Sequence, residues 1–248
     1  MPRIRLALAL ALFALSISSL IAQDQQSPGD AWMEAYTQNP DQLQQQYFPA
    51  AIRMFLNGTY VQGAYTLGVI WQQSDWKLQE RMVLHQAQPH VEDYLYEIAE
   101  YSSSSGTKIA ELCIWNLKDE KPLKEFEFIV PISGTLPKAE VLDPYREKWM
   151  ELCNAHKVSE LVNTLYAPQT LYYNHRPMVK GRKALIPVYG YMESPQYSLQ
   201  LTPLAVVPVR SDLILELGQC SGSYPGKYML VWQCNEKGTW EIILDSNI

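Results

Sequence analysis

Histidine and cysteine are both scarce in this 248-residue chain, at four each. Cys113, Cys153, Cys220 and Cys234 form no CxxC pair and share no metal-type spacing with a histidine, which excludes zinc-ribbon and zinc-finger chemistry. His85 and His90 stand five apart with no third ligand near them in sequence, so no metal is expected. A Gly-x-Ser-x-Gly signature is absent, which removes the nucleophile elbow of serine hydrolases. No cofactor is expected either. Basic residues are few: 20 Lys and Arg against 26 Asp and Glu. Nucleic-acid partners need a positive patch, and this balance argues against them.

What the chain does contain begins with Arg3 and Arg5, followed by an apolar run from Leu6 to Ala22. A basic start and an apolar stretch of this length read as a secretory signal over 1–22. Export to the periplasm or the exterior is therefore expected, with no membrane span left after cleavage. Removing that segment takes two arginines and leaves 18 basic residues against 26 acidic ones. With an oxidising destination the four cysteines read either as buried thiols or as including one disulfide. A hairpin centred on Pro225-Gly226 would set Cys220 opposite Val231, so a simple bridge to Cys234 is not expected.

The remainder repeats itself. Trp32-Met33-Glu34 recurs as Trp149-Met150-Glu151, Tyr47-Phe48-Pro49 as Tyr166-Ala167-Pro168, and Val61-Gln62-Gly63 as Val179-Lys180-Gly181. Glu97, Ser102, Trp115 and Glu127 match Glu216, Ser221, Trp232 and Glu241. All seven landmarks lie 114 to 119 positions apart, too long a period for a solenoid and right for a duplicated domain. The expected boundaries are 27–130 and 145–248, with a proline-bounded linker over 131–144. In the second half, Glu147 to Ala155 and Val158 to Leu165 have helical spacing, and Ala167-Pro168 ends the second helix. Thr170 to Asn174 reads as a short strand. Gly181 to Met192 is a third helix or irregular crossover, and four strands follow from Tyr197 to Asn247. Helices first and an antiparallel meander last is an α+β layout.

The second half resembles the NTF2-like superfamily, in its SnoaL-like and ketosteroid-isomerase-like branch. The residues that carry this are Trp149, Leu161, Leu165 to Pro168 and Val179 to Leu185. Gly222 to Trp232 and Gly238 to Ile242 complete it. The first half resembles the family through its matches to the second. The resemblance implies two cone-like domains, each with N-terminal helices packed on a strongly bent antiparallel sheet around a cavity. It also implies isomerases, cyclases or dehydratases among the members, beside many that only bind or dimerise. The isomerases' catalytic base falls at Asn174 here and near Phe55 in the first half, and their assisting acid falls near Leu230. None of these residues titrates as a carboxylate, so the isomerase mechanism does not transfer.

Candidate site residues come from the second half. Tyr172 and Asn174 share one face of the short strand. Glu216 interrupts the apolar run Leu213 to Leu217, as Glu97 does in the first half, and either lines a pocket or points outward. Asp245 is a further pocket acid, or pairs with a turn donor. His156 and His175 read as exposed loop residues. The expected ligand-binding set is Tyr172, Asn174, Tyr191, Glu216, Trp232 and Asp245. A non-catalytic module for a small apolar ligand or a protein partner is the leading reading. The alternative is an isomerase, cyclase or dehydratase working through the second domain. A purely structural tandem, with the halves docked on each other as a monomer or dimer, is the third.

Overall fold

The computed structural model describes residues 26–89 and 93–247. Residues 1–22, read above as a signal, and His90 lie outside the described residues. No helix among the described residues is long and apolar enough to cross a membrane.

The first half runs α1 (Pro28–Gln38), a 3-10 turn (Pro40–Gln46), β1 (Tyr47–Met54), β2 (Tyr60–Gln62) and α2 (Ala64–Gln72). Four long strands follow: β3 (Leu78–Ala87), β4 (Tyr94–Ser103), β5 (Lys108–Asn116) and β6 (Leu123–Pro131). The second half repeats this with α3 (Asp143–Asn154), α4 (Val158–Leu165), β7 (Tyr166–Tyr172), β8 (Val179–Lys180) and α5 (Arg182–Val188). Its long strands are β9 (Leu199–Arg210), β10 (Leu213–Gly222), β11 (Gly226–Cys234) and β12 (Trp240–Asn247). The two six-stranded sheets have one order, β2-β1-β6-β5-β4-β3 and β8-β7-β12-β11-β10-β9. The β1–β6 and β7–β12 pairs are parallel and the other neighbours antiparallel. The expected α+β tandem is what the chain forms.

Local chemistry explains the shared landmarks. Ser27 caps α1, accepting a 3.1 Å bond from the Asp30 amide, with Pro28 at the first helical position. In α4 the buried Val158, Leu161, Val162 and Leu165 make one apolar stripe. Gly63 and Gly181 both have positive φ, 109° and 82°, where a short strand turns into a helix. A side chain there would be strained, which is why Val-x-Gly recurs. Ala167-Pro168 is expected to end the second helix, and α4 does end just before it. The chain passes from α4 into β7 at Tyr166, and Pro168 sits where the β7–β12 register shifts. Such an irregularity tolerates a residue without an amide proton.

The β10–β11 hairpin also differs from expectation. Cys220 faces Gly226 rather than Val231, because Gly222, at φ 116°, ends β10 early and β11 starts at Gly226. All four cysteines are free.

The central strands β4, β5, β10 and β11 are mostly buried on both faces because both faces are covered. Leu213, Leu215 and Leu217 of β10 join Tyr96, Ile98, Leu112 and Phe126 of the first sheet in one shared core. Ile214 and Trp232 face the second half's own core with the α3 and α4 residues. Trp32, Trp71 and Trp115 centre the first half's own core. Parity therefore places Glu97 and Glu216, which alternate with the shared-core residues, inside their own halves, and both are fully buried. The outward alternative for Glu216 fails because the outer face of β10 packs against the first sheet.

Candidate site: a carboxylate cavity in the second half

Asp245 on β12 lies opposite Leu230 of β11 and Tyr172 of β7, and is 3% exposed. Its Oδ2 accepts a 2.6 Å bond from the Tyr166 hydroxyl and a short one from the Tyr189 hydroxyl. Trp149 Nε1 donates to the Tyr166 oxygen at 3.0 Å, so the donors are themselves oriented. No cation pairs with Asp245 among the described residues. Burial pushes its carboxyl up to about 6, against the opposing pull of the Tyr166 and Tyr189 bonds. Both tyrosine bonds fall on Oδ2, which leaves Oδ1 for another donor.

Asp245 lines a cavity of about 110 Å³ between the helices and the sheet. Leu199, Leu201, Leu230, Met192 and Trp149 make apolar walls, while Cys220 and Asn247 add polar atoms. Tyr191, Tyr197 and Tyr224 close the outer end as a ring cluster with centroids 5.5 to 5.9 Å apart. Tyr191 is 42% and Tyr224 63% exposed, which marks the mouth. An apolar space with one oriented polar group at its base is the usual build of a small-molecule site.

Of the six residues expected from sequence, Tyr191 and Asp245 line this cavity. Tyr172 stands behind it, donating to the lining Asn247 at 2.9 Å and packed edge-on against Tyr189. Asn174, hydrogen-bonded to Tyr172, is one step farther away. Glu216 and Trp232 belong to a separate cluster. Glu216 accepts from Arg146 at 3.1 Å, Tyr228 at 2.9 Å and Trp232 Nε1 at 2.9 Å. Burial raises the Glu216 carboxyl although Arg146 and the two donors pull it down. Tyr166, Tyr189, Tyr197 and Tyr224 were missed. The first of these had a signal, since it was already matched to Tyr47.

His156 and His175 were read as exposed loop residues, and neither is exposed. His156 takes a left-handed φ of 60° just past α3, where Lys157 N donates to Leu152 O, and its ring contacts the Met192 carbonyl. His175 packs against the first half.

The first half shows what the same position becomes when filled. Strand registers make Glu127 the counterpart of Asp245, rather than of Glu241 as the sequence match had it. Tyr47 donates to Glu127 at 2.9 Å as Tyr166 does to Asp245, and Trp71 donates at 3.2 Å from the place of Tyr189. But Glu127 also pairs with Arg53 at 2.9 Å and with Lys124 at 3.5 Å. Where the cavity has Leu201 and Cys220, the first half has Arg81 and Tyr101. Those longer side chains bond each other at 3.2 Å.

No protein-family model matches the chain, and no match among curated proteins reaches significance. Solved structures do match. An NTF-2 like protein of unknown function from Shewanella oneidensis MR-1 is 13% identical with a TM-score of 0.39. The match covers 44% of this chain and 98% of that one. The matched length is that of about one half of this chain. An NTF2-like protein of unknown function from Pseudomonas putida KT2440 is 15% identical with a TM-score of 0.36, over 46% of this chain and 88% of that one. A ketosteroid isomerase-like protein from Erwinia carotovora atroseptica SCRI1043 gives 13% and 0.36, over 44% and 93%. The tandem pairs one half whose interior is filled by ion pairs with one whose interior is open.

Proposed function

We propose that the second NTF2-like half binds a small, largely apolar ligand carrying one hydrogen-bond donor, and that the first half is its scaffold. The observation that carries this reading is Asp245: a buried carboxylate without a cation, oriented by two tyrosines, at the base of an apolar cavity. A ligand hydroxyl reaching Oδ1 would supply the missing donor, and a charge-assisted bond of this kind is about twice as strong as a neutral one. The cavity size suits a single ring. The outer sheet faces are spent on each other, which supports a monomeric domain pair. The basic and apolar start of the chain supports export as the setting.

Cys220 lines the cavity and Cys234 does not, which gives an internal control. Phenol at millimolar concentration is expected to slow maleimide labelling of Cys220 and leave Cys234 unchanged. Native mass spectrometry of the purified protein should show a retained small molecule or a phenol adduct that unfolding releases. Unchanged Cys220 labelling together with no adduct would reject the reading.

The alternative is proton transfer through Asp245. Its carboxyl, pushed up to about 6, favours this because an acid–base group works best near the operating pH. That reading requires turnover of a bound ring compound that is lost in Asp245→Asn, and binding without turnover decides against it.

A further inference from the structure

We propose that the cleft between the two halves is a second binding site, for a small aromatic carboxylate whose anionic group is held at His175 Nε2. His175 lies in the loop between β7 and β8, which reaches from the second half onto the first sheet. Its Nδ1 bonds Glu125 Oε1 of β6 at 2.5 Å, and its ring lies against Tyr94 of β4 with centroids 3.7 Å apart. Glu125 is a built anchor. It is 3% exposed, and it also accepts from Tyr173 at 2.6 Å and from Asn116 at 2.6 Å. Burial opposes its ionisation, but the bonds from His175, Tyr173 and Asn116 outweigh that and hold it below the usual carboxylate range. An ionised Glu125 can only accept, so His175 Nδ1 carries a proton and donates it.

That leaves Nε2, which is buried and has no hydrogen-bond partner. Buried polar atoms are nearly always satisfied, and one left open beside a cavity points to an absent group. The backbone points the same way. His175 is one of two described non-glycine residues with positive φ, at 62°, a strained conformation that persists only where its surroundings impose it. Unlike His156, it caps no helix.

The cleft beside it has a volume of about 510 Å³ and takes residues from both halves. Phe48, Tyr60, Tyr94 and Met178 give it an aromatic and apolar wall. Lys118 and Arg176 stand exposed at its edge, and neither has an ion-pair partner among the described residues. Lys118 lies over the Tyr94 ring at 4.9 Å. With Glu125 the only ionised acid among the described lining residues, Lys118 and Arg176 leave that lining net positive before His175 is counted. An anion with a flat apolar body fits both the charge and the walls. The binding step balances as a proton uptake: the carboxylate enters already ionised, Nε2 takes a proton from solvent and donates it to the carboxylate, and the Nδ1 proton stays on His175, donated to Glu125.

The test uses the full chain labelled with ¹⁵N, titrated with benzoate and separately with benzamide. Its readout is the His175 ring nitrogens, assigned by their loss in His175→Gln. Benzoate is expected to move them to the imidazolium position saturably, and benzamide to leave them in place. Lys118→Gln and Arg176→Gln, at exposed positions that do not threaten folding, should each weaken benzoate about fivefold. Phenol should not compete, and benzoate should leave Cys220 labelling unchanged, so this site and the Asp245 cavity stand or fall separately. No His175 shift with benzoate, equal shifts with benzamide, or undiminished binding in both charge variants would overturn the proposal.

Discussion

Arg81 and Arg146 bring guanidinium groups to the equivalent buried glutamates Glu97 and Glu216 from different elements of the fold. Arg81 reaches Glu97 from strand β3, whereas Arg146 reaches Glu216 from helix α3. The helix position matching Arg146 is Gly29, at the same spacing that relates Trp32 to Trp149. A Cβ at Gly29 would stand 2.0 Å from the Arg81 guanidinium carbon, so the glycine exists to admit the strand arginine. The strand position matching Arg81 is Leu201, which lines the open cavity. Moving the arginine from strand to helix is thus part of what empties the second half.

A coupled exchange tests this. Arg81→Leu alone leaves Glu97 buried without its cation and should cost about 3–5 kcal/mol. Gly29→Arg alone should also destabilise, because its side chain meets Arg81. The double variant should recover about 2–3 kcal/mol of the summed loss, as contacting residues in one network do. Urea unfolding of the four proteins measures the coupling. A strictly additive result would mean that the two arginines do not share one place.

Gly218 supports Glu216 in a similar way. It pairs with Tyr228 across β10 and β11, and a Cβ there would lie 2.2 Å from the Tyr228 hydroxyl oxygen. The corresponding pair in the first half is Ala99 and Glu111, without a ring to accommodate. Gly218→Ala should displace Tyr228, break its bond to Glu216 and cost about 1–3 kcal/mol. Ala99→Gly should cost only about 1 kcal/mol, the usual penalty for glycine within a strand. Equal losses in thermal or urea unfolding would defeat the argument.

Much of the architecture was legible because backbone requirements leave residue-specific marks. Val-x-Gly marks the strand-to-helix turn in both halves, and the tryptophans recur because each half centres its core on them. The acids were legible as buried candidates but not as to role. Glu216 and Asp245 both interrupt apolar strands, and only three-dimensional placement shows that Arg146 neutralises one while the other stays unpaired. Glu127 was matched to Glu241 because the side-chain type agreed; the register equates it with Asp245, a shorter acid. Tyr197 and Tyr224 lie in loops and at a strand end, where no periodicity marks a mouth. His175 looked exposed because Tyr94 and Glu125, which cover it beside the neighbouring Tyr173, are far away in sequence.

Lys124 is fully buried in the first half, 2.6 Å from Glu111 and 3.5 Å from Glu127, and it lies 3.9 Å from the centroid of Trp32. Its counterpart is Ile242, and that of Glu111 is Tyr228, so the second half does without this pair. Lys124→Met should cost about 3–5 kcal/mol by removing the ion-pair partner of the buried Glu111. Adding Glu111→Gln should restore part of that loss, since the remaining Glu127 keeps Arg53. If the double variant is no more stable than Lys124→Met in urea, the ion pair is not what fills this core.

Asp245 makes stability depend on pH with a sign opposite to that of a salt-bridged carboxylate. Its folded value of about 6 exceeds the ordinary 3.8, so between these the native state holds a proton that the unfolded chain has released. Stability from this group is fully present below about pH 3.8 and is lost as pH rises through about 6, amounting to about 3 kcal/mol when complete. Asp245→Asn keeps an acceptor for Tyr166 and Tyr189 but cannot ionise. The variant should therefore match the wild type near pH 4 and exceed it by about 1–3 kcal/mol at pH 8. Comparing the two proteins at each pH isolates Asp245 from Glu216, whose raised carboxyl acts in the same direction in both. A stability difference that stays flat from pH 4 to 8 would show that Asp245 ionises at its ordinary value with its charge compensated, and ligand recognition by an uncompensated carboxylate would fail with it.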